Sequence, residues 1–199
     1  MKRFLIFVFV ISACIFVAFL FFGNSNSDEK QAPPAALPTQ SEAYIPRSPV
    51  KSPHTGDDAI YPPPTRTPGA INPDITQDNI GETICNPDWS TKSIRPPSSY
   101  TGRLKREQLQ EWNPDDTNPK DYEEDHFIPL ELGGNPTDPK NLWPEAYEPK
   151  PGAREKDRVE NWLHKEICNN DITLDRAQKI IVEDWYSCYL NVENHQLCK

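Results

Sequence analysis

An aspartate and a histidine stand next to each other at Asp125-His126, and these side chains are the best placed for acid–base or metal chemistry. A neutral imidazole can take a proton from water near pH 7, and a carboxylate is a hard oxygen ligand for a divalent cation. The other histidines lie in a linker (His54), on a predicted helix (His164) and in the C-terminal tail (His195). His126 therefore has the best chemical context of the histidines.

The residues around this pair predict two short strands and a helix. Polar and apolar residues alternate from Tyr122 to Leu132, which favours a strand that is broken at Pro129. The turn residues Gly133 to Pro136 allow Asn141 to Trp143 to return as the partner strand. A helical pattern begins near Ala153. The predicted unit is strand, turn, strand and helix.

Asp125 and His126 are neighbours on this predicted strand. Neighbouring side chains of a strand point to opposite faces, so the two can serve one centre only where the strand is irregular. Pro129 cannot donate a ladder hydrogen bond, and we therefore expect a bulge or a strand edge close to it.

Three segments carry helical patterns. The first is entered at Ser98 to Thr101 and is stopped by Asn113-Pro114. The second begins near Ala153 with an apolar stripe, and the third has a similar stripe and is capped by Asp171 or Thr173. These elements predict an α+β fold with a small strand–strand–helix core and additional helices.

The composition favours one modest globular domain after a long segment that does not fold. Of the 199 residues 36% are hydrophobic, many of them near the N-terminus, and 22 are prolines. We divide the chain into a membrane anchor or signal peptide (1–23), a disordered Pro-rich linker (24–80) and a folded domain (81–199). The formal net charge of -9 argues against a protein that coats nucleic acid, but it permits a local basic groove.

The first residues predict a membrane segment. Lys2-Arg3 precede an apolar run, residues 4–22, that is long enough to cross a bilayer as a helix. The two charges would stay in the cytoplasm and place the rest of the chain outside it. We favour an uncleaved anchor; a cleaved signal peptide would release a secreted protein, and Ile11 to Cys14 is similar to a lipoprotein cleavage box.

Four cysteines lie in the exported part without a Cys-x-x-Cys pair: Cys85, Cys168, Cys188 and Cys198. This pattern favours two disulfides in an oxidising compartment over a structural zinc site. Three connectivities are possible, and we favour Cys85 with Cys168 and Cys188 with Cys198.

The ordered set of residues around Asp125 resembles the HNH, or ββα-metal, endonucleases. The matching residues are Asp125-His126, Pro129-Leu130, Gly133-Gly134, Asn141-Leu142 and the helix beginning at Ala153. Over about 100 residues the chain is similar to an exported bacterial subgroup of this family. The resemblance implies a ββα-metal core with additional helices, stapled by disulfides.

The resemblance implies a metal-dependent endonuclease that hydrolyses phosphodiester bonds of DNA or RNA outside the cytoplasm. His126 would be the general base that acts on water, and Asp125 would be a metal ligand. Asn141 would fix the loop and thereby orient His126. A divalent metal ion, Mg²⁺ or Mn²⁺, would neutralise the scissile phosphate and stabilise the leaving oxygen.

One metal-ligand position remains to be filled, because the helix residue that usually faces the metal is Ala153 here. Asp157 lies one helical turn later and is the substitute ligand that we predict. Alternatively, Asp157 is an acid of the first helical turn that pairs with the helix dipole or with Arg158. The alternative substitutes are Glu145, Glu155 and Glu160.

Arg95, Arg154 and Lys156 are predicted to contact substrate phosphates, or else they are surface charges that serve solubility. The predicted partners are nucleic acid and, through the N-terminal segment, the membrane; no protein partner is inferred. The alternative function is a catalytically degenerate HNH-fold module that binds or has a structural role at the cell envelope. The residue Ala153 and the acidic charge favour this alternative.

Overall fold

The computed structural model describes residues 60–194, 196 and 198. The elements are α1 (Ser98–Trp112), β1 (Tyr122–His126), β2 (Leu142–Ala146), α2 (Ala153–Cys168) and α3 (Leu174–Glu193). The two strands pair antiparallel, with Tyr122 opposite Ala146 and His126 opposite Leu142. The fold is thus a mixture of helices and strands, as the sequence predicts, and β1, β2 and α2 follow one another in the predicted order.

The strand β1 ends at His126 and does not continue to Leu132. After Pro129 the chain forms a 3-10 turn over Leu130–Leu132, and Gly133 closes this turn with a φ of 75°. This left-handed conformation favours glycine, which has no Cβ. Phe127 and Ile128, which follow His126, are fully buried.

The helix α1 is fixed to both strands by side chains that reach backbone carbonyls. Lys105 Nζ donates to the carbonyl of Tyr122 at 2.8 Å, and Gln108 Nε2 donates to the carbonyl of Leu142 at 2.9 Å. Asn113 ends the helix in the left-handed conformation, with a φ of 49°. The predicted stop at Asn113-Pro114 is confirmed.

The helices α2 and α3 pack against each other and bury their apolar stripes. Thr173 caps α3, since its Oγ1 accepts a hydrogen bond from the Arg176 amide at 3.2 Å. Asp184 interrupts the helical backbone of α3 with a φ of -163°. Completely buried apolar residues of the two helices are Val159, Leu163, Ile167, Ala177, Ile181, Val182 and Trp185.

The folded part begins earlier than Gly81, where the sequence predicts its start. Ile60, Tyr61, Ile75 and Ile80 belong to the hydrophobic core. The indole nitrogen of Trp185 donates to the carbonyl of Ile60 at 3.1 Å, which ties this segment to α3. Prolines and polar residues separate these apolar residues, so no periodicity marks them as core. Residues 60–80 therefore include part of the folded core, and the remaining linker residues, 24–59, lie outside the described part.

Two disulfides staple the domain in the pairing that we favoured. Cys85 is bonded to Cys168 at the end of α2, and Cys188 in α3 is bonded to Cys198. No helix in the described ranges is sufficiently long and apolar to cross a membrane. The predicted anchor, residues 4–22, falls outside those ranges.

Candidate functional site

Asp125 and His126 line the same small cleft, although they are neighbours in one strand. His126 is the last residue of β1, and one more backbone hydrogen bond, from the Phe127 amide to the Asn141 carbonyl at 2.8 Å, follows before the chain bends. The irregular position that the sequence analysis required is therefore the end of the strand. The residues that line the cleft are Thr91, Arg95, Asp125, His126, Pro129, Leu130, Glu131 and Glu160.

The imidazole of His126 is buried and held by a backbone carbonyl. Its Nε2 lies 3.0 Å from the carbonyl oxygen of Pro136. A carbonyl can only accept, so Nε2 carries the proton and the lone pair of the neutral ring is on Nδ1. Burial lowers the pKa of His126, against the opposing effects of the Pro136 hydrogen bond and of Asp125. The ring is therefore neutral near pH 7, with Nδ1 as its basic atom.

Asn141 is completely buried and fixes the loop that follows His126. Its Oδ1 accepts from the Ile128 amide at 2.9 Å, and its Nδ2 donates to the carbonyls of Ile128 at 2.9 Å and Asn135 at 3.0 Å. The backbone of Gly134 lies so close to that of Ile128 that a Cβ on Gly134 would be 1.7 Å from the Ile128 carbonyl oxygen. Asn141 thus holds the loop that presents the Pro136 carbonyl to His126.

We expect Asn141→Asp to lower the free energy of unfolding by about 1–3 kcal/mol, because it replaces the donating amide with an oxygen that faces two carbonyl oxygens. Urea denaturation of the full chain measures this loss. Asn161→Asp is the matched control, since Asn161 is exposed and has one hydrogen bond to the Asp157 carbonyl. Equal stability of the two variants would show that the Asn141 amide does not hold the loop.

The sequence predicts that Lys156 contacts a substrate phosphate, but this prediction is wrong because the side chain is completely buried. Its Nζ lies 2.6 Å from Asp125 Oδ2 and 3.7 Å from Glu145 Oε2, and it also contacts Glu160 Oε1. The ammonium donates to the carbonyl of His126 at 3.2 Å as well. Lys156 therefore lies behind the wall of the cleft, at the centre of a carboxylate cluster.

The charges in this cluster depend on one another. Burial raises the pKa of Glu145 well above its usual range, although Lys156 opposes the shift. Burial alone would also raise the pKa of Asp125, but the attraction of Lys156 outweighs it and the pKa is lowered. Burial disfavours the charged lysine, yet the carboxylates raise the pKa of Lys156. The lowered pKa of Asp125 and the raised pKa of Lys156 both favour the ion pair between them, and the raised pKa of Glu145 favours its protonated form.

The other predicted substrate and metal residues are divided between the cleft and the outer surface. Arg95 is exposed and lines the cleft. Arg154 is exposed on α2, where its guanidinium lies 4.9 Å from the centre of the Tyr147 ring, and it does not line the cleft. Asp157 is exposed on the same helix. The structure thus brings Arg95 to Asp125 and His126, but not Arg154.

The residues around Asp125 do not fit a divalent metal ion in this arrangement. Such an ion needs several oxygen ligands that converge on one point, whereas Asp125 Oδ2 is bonded to Lys156. Ala153, at the helix position where the sequence resemblance predicts a metal ligand, is buried and offers none. Among the described residues, the ligand atoms of Asp125 and Asp157 are not part of any group of three that converge within 4.8 Å.

A group that does converge lies elsewhere, at Cys85, His164 and Cys168. Their potential ligand atoms are within 4.8 Å of one another, and His164 Nε2 is 2.8 Å from the carbonyl oxygen of Ile84. The two sulfurs are joined in a disulfide, and metals bind thiolates. This group could therefore hold a metal ion only in the reduced protein.

Sequence reasoning missed part of the cleft and the role of Lys156. Thr91 and Glu131 line the cleft, and neither has a sequence signal that distinguishes it from a surface residue. Glu160 was considered only as a substitute ligand. Its position four residues after Lys156 is the spacing of an ion pair on a helix, and that signal could have identified the pair.

Comparison of the chain with protein-family models, with curated proteins and with solved structures gives no match.

Proposed function

We propose that the chain is an endonuclease that hydrolyses phosphodiester bonds of nucleic acid in the cleft at His126. The observation that carries this proposal is the hydrogen bond from His126 Nε2 to the Pro136 carbonyl. It leaves the basic atom Nδ1 for a water molecule in a cleft that Arg95 also lines. The resemblance of the sequence to the HNH endonucleases supports the choice of a nucleic acid as substrate.

The chemistry needs a base for water and a cation for the phosphate. His126 Nδ1 takes a proton from water while the water oxygen bonds to phosphorus and the bond from phosphorus to the leaving oxygen breaks. The leaving oxygen then takes a proton from solvent. Arg95 has no side-chain hydrogen bond or ion pair to another described residue, and its planar donors suit a phosphate.

The two disulfides support a place outside the cytoplasm, where such bonds persist. The apolar run at residues 4–22 would tether the domain to the membrane. The proposal is therefore an extracytoplasmic nuclease that is anchored, or secreted if the N-terminal segment is cleaved.

The test is to incubate the full chain, purified in detergent, with plasmid DNA and separately with RNA. Each reaction is run with Mg²⁺, with Mn²⁺ and with EDTA. We expect new strand ends in at least one of the two substrates. Intact DNA and RNA under all of these conditions would contradict the proposal and would favour the degenerate binding module.

The rate of cleavage should depend on pH through His126, which must be neutral to act as a base. Since burial lowers its pKa, kcat/KM should increase with pH along an acid limb that is centred below about 6.5, the ordinary histidine value. Arg95→Gln removes a positive charge that disfavours the imidazolium, so the acid limb should move to higher pH even if the overall rate falls. Measured pH profiles of kcat/KM check both expectations.

Arg154→Gln is the matched control for this shift, because Arg154 is exposed outside the cleft. Its acid limb should coincide with that of the wild type. A wild-type limb centred above the ordinary histidine value, or the same displacement in both arginine variants, would contradict the role given to His126.

A further inference from the structure

We infer that the ammonium of Lys156 takes the place of the divalent cation, so that the site binds no Mg²⁺ or Mn²⁺ and cleaves nucleic acid without one. This inference rests on the proposed function for the cleavage step. Its structural part, the occupation of the cation position by a lysine, concerns Lys156 and its carboxylate partners alone.

The surroundings of Lys156 Nζ consist of oxygens of the kinds that bind a hard cation. Carboxyl oxygens come from Asp125 at 2.6 Å, from Glu160 in direct contact and from Glu145 at 3.7 Å, and a backbone oxygen comes from His126 at 3.2 Å. Hard divalent cations use carboxylate and backbone oxygens as ligands. The ammonium has three donors, and Asp125, Glu160 and the His126 carbonyl satisfy them.

A metal ion could not join this arrangement without displacing the lysine. Lys156 is completely buried, and a metal ion would have to break the hydrogen bonds of its ammonium to Asp125 and to the His126 carbonyl. A divalent ion at Asp125 would lie beside a fixed positive charge, which repels it strongly in a site that is shielded from water. The side chain that would bring the ion to α2, Asp157, is exposed.

The position of Lys156 also explains how an anionic substrate could approach so many carboxylates. Asp125, Glu131 and Glu160 line the cleft, and without a nearby cation the ionised Asp125 would repel a phosphate. Burial raises the pKa of Glu131 and raises that of Glu160 to about 8, which reduces the negative charge of these two groups near neutral pH. Lys156 neutralises the charge of Asp125 from the buried side of the cleft wall, and the exposed Arg95 offers a positive group within the cleft. Lys156 is thus a positioning residue that keeps Asp125 and Glu160 in place, and Arg95 is the residue that meets the phosphate.

The first test measures metal binding directly, with Mn²⁺ titrated into the full chain and followed by electron paramagnetic resonance and by the thermal midpoint. We expect no Mn²⁺ bound at Asp125 and no shift of the midpoint in the wild type. Lys156→Met should gain Mn²⁺ binding and a higher midpoint with Mn²⁺, because its carboxylates then have no internal cation. Lys165→Met, on the exposed side of the same helix, should behave as the wild type does.

The wild type alone can overturn the inference, which matters if Lys156→Met does not fold. Mn²⁺ bound by the wild type and lost in Asp125→Asn would show that the metal position is intact beside the lysine. A folded Lys156→Met that gains no Mn²⁺ binding would also overturn it, since the carboxylates would then not form a cation site.

The second test is cleavage of DNA and RNA after exhaustive treatment with EDTA. Cleavage that EDTA leaves unchanged and that His126→Ala abolishes supports the inference. Cleavage that requires Mg²⁺ or Mn²⁺ overturns it and leaves the proposed function standing. If the wild type cleaves neither substrate under any condition, the proposed function is wrong, and the Mn²⁺ titration still decides whether Lys156 fills the cation position.

Discussion

The variant His126→Ala should lose about 10²–10⁴-fold in the rate of nucleic-acid cleavage, because the positioned base that accepts the proton from water is removed. In the structure the base is the Nδ1 atom of a buried ring, and the Pro136 carbonyl fixes its orientation. No other histidine lines the cleft among the described residues. A fluorescent oligonucleotide, cut under single-turnover conditions, gives the rate of each variant.

A second histidine provides the matched control. His164 is also partly buried and also contacts a backbone carbonyl, that of Ile84 at 2.8 Å, but it does not line the cleft. His164→Gln should therefore retain the cleavage rate even if it lowers the thermal midpoint. A folded His126→Ala protein that cleaves as fast as the wild type would exclude His126 as the base.

The variant Lys156→Met should lose about 3–5 kcal/mol in free energy of unfolding, because removal of one partner of a buried ion pair leaves the other charge without compensation. Methionine has a similar length and preserves the packing of the aliphatic chain. The ionised Asp125 would then be buried without its cation, and Glu160 would lose its closest contact. Urea denaturation at neutral pH measures the change.

Two control variants separate the loss of the ion pair from the loss of a lysine or of an acid. Lys165→Met replaces an exposed lysine of α2 and should change the stability by no more than about 0.5 kcal/mol. Glu145→Gln should also have a small effect, since burial raises the pKa of the Glu145 carboxyl and so favours its neutral form. Similar losses for Lys156→Met and Lys165→Met would mean that the buried cluster does not stabilise the fold.

Local signals predicted most of the elements correctly. The stop at Asn113-Pro114, the beginning of α2 at Ala153 and the cap at Thr173 all depend on residues within one or two turns of the chain. The strand was predicted too long, because alternation of polar and apolar residues continues through Leu132 in a segment that forms a 3-10 turn. Pro129 was the signal for the break, and the break lies before it.

The residues from Ile60 to Ile80 show why a domain boundary is harder to predict. They have the composition of a linker, and their apolar side chains follow neither a helical nor a strand period. They are buried because Trp185 and Gly133, far away in the sequence, bond to their backbone. The burial of these residues therefore cannot be predicted from the composition or the period of the segment alone.

For the candidate site, the sequence alone indicated the types of groups: a histidine beside an aspartate, an asparagine for the loop, and acids and bases on the following helix. It also determined the order of strand, strand and helix, because period and turn chemistry are local properties. Which of these groups lie in contact depends on how the elements pack in three dimensions. The helical period alone does not show whether Lys156 or its neighbour Asp157 faces Asp125. In the folded domain Lys156 is buried against Asp125, and Asp157 is exposed. The charge that faces Asp125 is therefore a consequence of how the elements pack.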